Sequence, residues 1–204
     1  MANPRDWKVL LLGGGTGTGK TQLSLALGRR FDVAVLEGDL LRGVIESAVA
    51  QGSDPDLHPF RDATIWDQPI EEILDRSLRL SQRVCRICEW VLVRQHYVER
   101  PLILEAFWIL PEFAAQTTFG DLNLTGEVRS LFLFEPDLDA LQERLHGRDG
   151  EVGLPQEQPS RLAMFHEHGV LIKQRAEALG LAVLESRPFE TLEARALAAL
   201  GLDS

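Results

Sequence analysis

Residues 12–21 read Leu-Gly-Gly-Gly-Thr-Gly-Thr-Gly-Lys-Thr, and no other stretch limits the possible folds as tightly. Gly14, Gly19, Lys20 and Thr21 satisfy G-x-x-x-x-G-K-[ST], the phosphate-binding loop. The residue types follow from the task. Backbone N–H groups of Gly14, Gly15, Thr16, Gly17, Thr18 and Gly19 can all turn inward onto phosphate oxygens, because glycine permits the curl and carries no Cβ. A helix starting at the end of the loop adds free N–H donors and a positive dipole end. Lys20 reaches the β- and γ-phosphates, and the Thr21 hydroxyl suits Mg²⁺. The flanks agree with this reading and not with a flexible glycine linker. Lys8-Val-Leu-Leu-Leu12 reads as a buried strand, and Gln22-Leu-Ser-Leu-Ala-Leu27 as a helix start. No register of the glycines gives G-x-G-x-x-G, which argues against a dinucleotide site.

The rest of the chain alternates short apolar runs with helical patterns. Strands are expected at 8–12, 33–36, 101–105, 128–134 and 181–184. Helices are expected to about Arg30, then over 40–51, 68–98, 111–117, 137–146, 161–179 and 190–200. Pro69 and Pro101 bracket the long helix, whose apolar residues Ile70, Ile73, Leu74, Leu78, Val84, Ile87, Val91 and Leu92 recur at helical spacing. Residues 52–69 are rich in proline, glycine and aspartate and read as loop. Residues 147–160 read as a mobile, lid-like segment within a single domain spanning 1–204. The alternation predicts an α/β fold with a parallel sheet covered on both faces, and ligands at the carboxyl ends of its strands. That rule selects Gly14–Thr21, Glu37–Asp39, Glu105 and Glu135.

The formal charge of −10 argues against general binding to nucleic acid or acidic membrane. No apolar run is long enough to span a bilayer, and the first residues lead straight into a strand, so cytoplasm is the expected location. Cys85 and Cys88 have C-x-x-C spacing but lie mid-helix with no further cysteine, which favours packing over zinc. His166 and His168 sit two apart on a helix, do not face one another, and read as surface or lid-helix polarity. Oligomeric state is open, with a homodimer expected on general grounds.

Several residues are candidates for chemistry. Asp39, just past strand two, is placed to accept a proton from an acceptor hydroxyl or to hold Mg²⁺ through water, and also suits a helix N-cap. Glu37 is the competing carboxylate. Glu105 ends strand three, where a metal-holding aspartate would be usual. Arg42, one turn into the second helix, suits an anionic substrate group. His58 and Arg61 lie in a loop where an acceptor pocket could form. Arg144 and Arg148 flank the lid-like segment and could neutralise charge on a transferred phosphoryl group. Arg187-Pro188 follows strand five and could cover an adenine ring.

These pieces together resemble the small P-loop kinases grouped with shikimate kinase, gluconate kinase and nucleoside monophosphate kinases. The nearest resemblance is to 2-phosphoglycerate kinase-like proteins of the AAA-family ATPase type. It rests on Gly13–Thr21, Glu37-Gly-Asp39-Leu-Leu-Arg42, Pro101-Leu-Ile-Leu-Glu105 with Pro111, and Arg187-Pro-Phe-Glu-Thr-Leu192. The resemblance implies a sheet of order 2-3-1-4-5, ATP and Mg²⁺ as cofactors, an acceptor site near Asp39 and Arg42, and transfer to a small-molecule acceptor. Phe107 and Trp108 depart from the pattern, which has glycine after the glutamate, and imply a differently shaped acceptor pocket. A non-catalytic ATP-binding module or a regulatory ATPase switch is the alternative. The absence of Asn-Lys-x-Asp argues against guanine recognition.

Overall fold

Strand β1 (Val9–Gly14) is buried along its whole length, which marks it as the centre of a sheet covered on both faces. The computed structural model describes residues 7–98, 100–152 and 159–202, with the side chains of 148–152 excepted. In order, the elements are β1, α1 (Lys20–Phe31), β2 (Ala34–Glu37), α2 (Gly38–Ala48), α3 (Ile70–His96), β3 (Leu102–Glu105), α4 (Pro111–Ala114), β4 (Thr118–Phe119), β5 (Leu122–Asn123), β6 (Val128–Phe134), α5 (Leu138–Val152), α6 (Pro159–Ala178), β7 (Ala182–Glu185) and α7 (Leu192–Leu200).

Five strands form one parallel sheet in the order β2-β3-β1-β6-β7. With the small β4–β5 hairpin set aside, this is the 2-3-1-4-5 order expected from the resemblance. The register pairs Leu12 with Glu105 and Glu37 with Glu105. The loop after β1, the end of β2 and the end of β3 therefore share one rim of the sheet. One face packs Leu10, Leu12, Ile103 and Leu131 against Leu23 and Leu27 of α1 and Leu197 and Leu200 of α7. The other packs Leu11, Leu104 and Phe132 against Leu80, Val84 and Leu92 of α3 and Ile172 and Ala176 of α6. Cys85 and Cys88 are buried in this second layer, as packing residues would be, and burial pushes both thiols up to about 12.

Helix α3 runs for 27 residues with Glu71 and Glu72 in its first turn and Arg94 and His96 in its last, charges that suit its dipole. Trp108 is fully buried, and its indole N–H donates to Gly38 O at 3.1 Å. A Cβ on Gly38 would overlap Ala106 and press on Glu105 O and the Trp108 ring. The first turn of α2 is thus seated directly on the end of β3. Trp108, expected to shape an acceptor pocket, is wholly enclosed behind the rim and braces the start of α2.

Two other differences stand out. Thr118–Phe119 and Leu122–Asn123 form a hairpin across Gly120-Asp121, with Gly120 at φ 59°. Strands of two residues are too short to leave a periodic signal. Helix α5 continues to Val152, where a loop from Gly147 was expected. Each glycine costs a helix only about 1 kcal/mol, and Gly147 faces open space, so neither sequence nor packing stops the helix there. The remainder of the lid-like segment, 153–158, lies outside the described residues. Among the described residues no helix is long and apolar enough to cross a membrane.

Replacing Trp108 by Phe leaves the Gly38 carbonyl without its buried donor and should destabilise the protein by about 1–3 kcal/mol. Thermal denaturation should register a fall of several degrees; an unchanged midpoint would contradict the bracing role.

Candidate active site

The loop between β1 and α1 is curled by glycines that have no alternative. Gly14, Gly17 and Gly19 take φ of 118°, 79° and 84°. A Cβ on Gly14 would run into the Leu133 backbone, and the Gly15 N–H donates to Leu133 O at 3.2 Å. On its other side, a Cβ on Gly15 would come within 3.3 Å of Gly169 Cα, so α6 touches the loop backbone-to-backbone. Thr18 Oγ1 donates to Gly15 O at 2.8 Å. Lys20 is buried, and its ammonium donates to the same carbonyl at 2.6 Å. Thr16 is half-buried on the outside of the turn.

Thr21 Oγ1 donates to Glu105 Oε1 at 2.9 Å. Glu105 is 7% exposed. Burial raises its pKa; Lys20 and the Thr21 hydrogen bond oppose that shift, and the charges of Asp39 and Glu37 add to it. These carboxylates therefore act on one another across the rim. Mg²⁺ takes oxygen ligands, commonly one or two carboxylates completed by phosphate oxygens and water. The Thr21 hydroxyl and Glu105 carboxylate, already in contact and next to Lys20, fit that donor set. Among the described residues no three acidic, histidine or cysteine side chains form a metal cluster of their own.

Asp39 and Glu37 are exposed at the mouth of the rim. Arg42 donates to Glu46 Oε1 at 2.8 Å, lies 3.9 Å from Asp39, and sits 5.6 Å over the Phe107 ring. Phe107 also meets His168, with ring centroids 5.8 Å apart. His168 is 2% exposed, which corrects the expectation of a surface or lid-helix position. Its pKa is pushed down to about 4 by burial, with the Lys20 and Arg175 charges adding to the shift, so the ring is neutral at physiological pH. The signal that misled is local: His166, Glu167 and His168 form a polar run within α6, but the glycine after it lets the helix close onto the loop.

On the opposite side of the loop, Glu135 is buried and accepts from Arg187 Nε and Nη2, each at 3.1 Å. Arg187 also donates to Asp137 at 2.8 Å, and these hydrogen bonds hold the Arg187 pKa up; the Ala140 N–H, and after it Arg187, hold that of Asp137 down. Arg144 lies 3.5 Å from Glu135, donates to Gly17 O, and stacks 3.9 Å over the Phe189 ring, which itself lies against Gly19. Pro188 joins Arg187 through a cis peptide bond. Glu135 was identified only as a strand-end residue; its role as the shared partner of two arginines comes from distant parts of the chain. Arg148 lies on α5, and its side chain is outside the described residues.

The structure does not bring His58 and Arg61 to this cluster through any contact it records. His58 is buried with Nε2 on Val49 O at 2.9 Å, tying the loop to the end of α2. Arg61 is exposed on the next turn, its N–H donating to His58 O at 3.3 Å.

No protein-family model and no curated protein matches this chain. Solved structures do. A sugar kinase from Janibacter sp. HTCC2649 superposes with a TM-score of 0.52 at 20% identity, covering 96% of this chain and 95% of that one. Shikimate kinase from Acinetobacter baumannii, in complex with shikimate, gives 0.53 at 12% identity over 97% and 95%. Shikimate kinase from Bacteroides thetaiotaomicron gives 0.51 at 15% identity over 95% and 98%. The fold is therefore that of the P-loop small-molecule kinases, along nearly the whole chain. These likenesses do not single out the 2-phosphoglycerate kinase-like group.

Glu105→Gln should raise thermal stability at pH 7–8. A carboxylate whose folded pKa is raised binds its proton more tightly in the folded state, so stability is lost as pH rises from the unfolded value through the folded one. The neutral amide removes that loss. The advantage should shrink toward zero below pH 4, where both side chains are uncharged; a gap that stays constant with pH would contradict the buried-charge account.

Proposed function

We propose that the protein is an ATP-dependent kinase that transfers the γ-phosphoryl group to a hydroxyl or phosphate of a small molecule. The observation that carries this is the convergence of Lys20, Thr21, Glu105 and Asp39 at one rim of the sheet, beneath a phosphate-binding loop. Gly14 and Thr16–Gly19 would hold the phosphates through backbone N–H groups; Gly15, expected among them, has its N–H engaged by Leu133 O and would shape the loop instead. Lys20 would leave Gly15 O for the β- and γ-phosphate oxygens. Thr21 and Glu105, with Asp39 through water, would hold Mg²⁺, which when bound supplies charge neutralisation at the phosphates.

The adenine would lie along the rim formed by Arg187, Pro188, Phe189 and Arg144. The edges of the Arg187 guanidinium are engaged by Glu135 and Asp137, which leaves its flat face for stacking. Arg144 stands against the loop itself, where its charge would help neutralise the phosphates; Arg148 would assist from the next turn of α5. His58 and Arg61 remain candidates for the outer wall of the acceptor site.

In the transfer step the acceptor oxygen forms a bond to the γ-phosphorus as the bond to the β–γ bridging oxygen breaks. ADP leaves with that electron pair, and the acceptor proton passes to the Asp39 carboxylate. Catalysis is then positioning and electrostatics, which is the general character of phosphoryl transfer. A kinase fold used only as a switch would hydrolyse ATP slowly and without regard to acceptor.

Asp39→Asn should lower phosphoryl transfer by about 10²–10⁴-fold, the usual range for loss of a general base. Calorimetric titration without Mg²⁺ should find its affinity for ATP within about twofold of the parent. Retained turnover would remove Asp39 from the mechanism.

A further inference from the structure

The outer face of α3 changes character halfway along the helix. Over the first half its charges are matched. Arg76 donates to Glu72 at 2.6 Å, Arg79 lies 3.2 Å from Asp56, and Arg83 donates to Asp54 at 2.9 Å. Over the second half they are not. Arg86 and Arg94 are exposed, and among the described residues neither side chain makes a hydrogen bond, an ion pair or a ring contact. Beside them stand Ile87, Trp90 and Tyr97, which are 43%, 65% and 68% exposed. Helical spacing puts these five residues on one stripe.

Trp90 is the exception among the tryptophans. Trp7 and Trp108 are fully buried, and Trp66 is half-buried with its ring stacked on Phe60. Tyr97 stands edge-on to His96, which is itself 3.0 Å from the Glu127 carboxylate, so the end of the stripe is held in place before anything binds. Trp, Tyr and Arg are the residues in which protein interfaces are enriched.

Charge and area together point to the occupant. The chain carries a formal charge of −10, so most faces of one copy repel another. This stripe holds no acid. It is also complementary to itself. When a second copy lays its α3 antiparallel across a twofold axis beside Leu92, Trp90 faces the Arg94 of that copy and Ile87 faces its Tyr97, each contact occurring twice. A guanidinium over an indole face is a favourable cation–π pair and needs no carboxylate. Large aromatic side chains bury about 150–250 Å² each, so the open parts of Trp90 and Tyr97 amount to roughly 250 Å² per copy and about 500 Å² in the pair. Ile87 and the stems of Arg86 and Arg94 carry the total toward the ~1,200 Å² at which stable interfaces begin.

We propose that the second half of α3 is the interface of a twofold homodimer, with Trp90 stacked on the second copy's Arg94. Helix α3 ends at His96, before β3 begins at Leu102, so this half stands toward the end of the sheet away from the Glu105 rim. Pairing there leaves both phosphate loops open, and the inference does not depend on the kinase reading.

Sedimentation equilibrium of the full chain, carried to high micromolar concentration, should fit a monomer–dimer equilibrium. Trp90→Ser should raise the dimer dissociation constant on the order of 10³-fold, because a hot-spot contact is lost twice. Arg94→Glu should weaken the dimer by at least about tenfold, and Arg94→Lys by less. Far-UV circular dichroism should find the helix content of these variants unchanged, since both side chains stand outside the core. Leu25→Ser, at an exposed apolar position on α1, should leave the dimer intact. A parent chain that stays monomeric throughout would overturn the proposal and leave the stripe to a different partner. A dimer that survives both Trp90→Ser and Arg94→Glu, or that Leu25→Ser dissolves equally, would place the contact elsewhere and overturn it as well.

Discussion

Everything at this site depends on how closely the phosphate loop lies against its neighbours. Gly14 is held at a φ of 118° with the Leu133 backbone where a side chain would be, and Gly15 meets Gly169 of α6 in the same way. A loop pressed between β6 and α6 cannot splay, and its Gly15 N–H is already held on Leu133 O before any ligand arrives. Pre-organisation of that kind lowers the ordering cost of binding. It also sets where everything else can stand. Lys20 begins the helix that leaves the loop, Glu105 is in register with Leu12 before it, and Glu37 is in register with Glu105.

The charge pattern follows from that register. Parallel pairing places the ends of β1, β2 and β3 side by side, and the chain puts acids on two of them. Glu105 is buried and its pKa raised, Asp39 and Glu37 are exposed, and the Lys20 charge acts on Glu105 from its place on Gly15 O. Across the loop, the buried Glu135 carboxylate ties Arg187 and Arg144 to the opposite wall. One side of the crevice is thus acidic and open, suited to taking a proton. The other is lined by arginine, suited to polyphosphate.

Much of this was legible in the sequence, for physical reasons. The phosphate loop, the apolar strands and the long helix α3 are local patterns, and each appeared where expected. Asp39 and Glu105 were singled out because ligands gather at the ends of parallel strands, and both do stand at that rim. What escaped was non-local. Trp108 looks like a pocket residue from its neighbours, but its indole N–H is held by Gly38, 70 positions away. His168 looks polar and external on its own helix, yet Phe107 and the loop bury it. The arginine-sharing role of Glu135 needed β6, β7 and α5 to be assembled first. The helical extension to Val152 was missed because two glycines were weighed as breakers.

A crystal structure of the full chain with Mg²⁺ and a non-hydrolysable ATP analogue tests the account most directly. The account predicts that the Lys20 ammonium moves from Gly15 O to a γ-phosphate oxygen. Thr21 should release Glu105 to share a metal ion with it, and the purine should rest on the Arg187–Phe189 rim. A nucleotide bound elsewhere, or bound here with Lys20 still on Gly15 O and Thr21 still on Glu105, would contradict it.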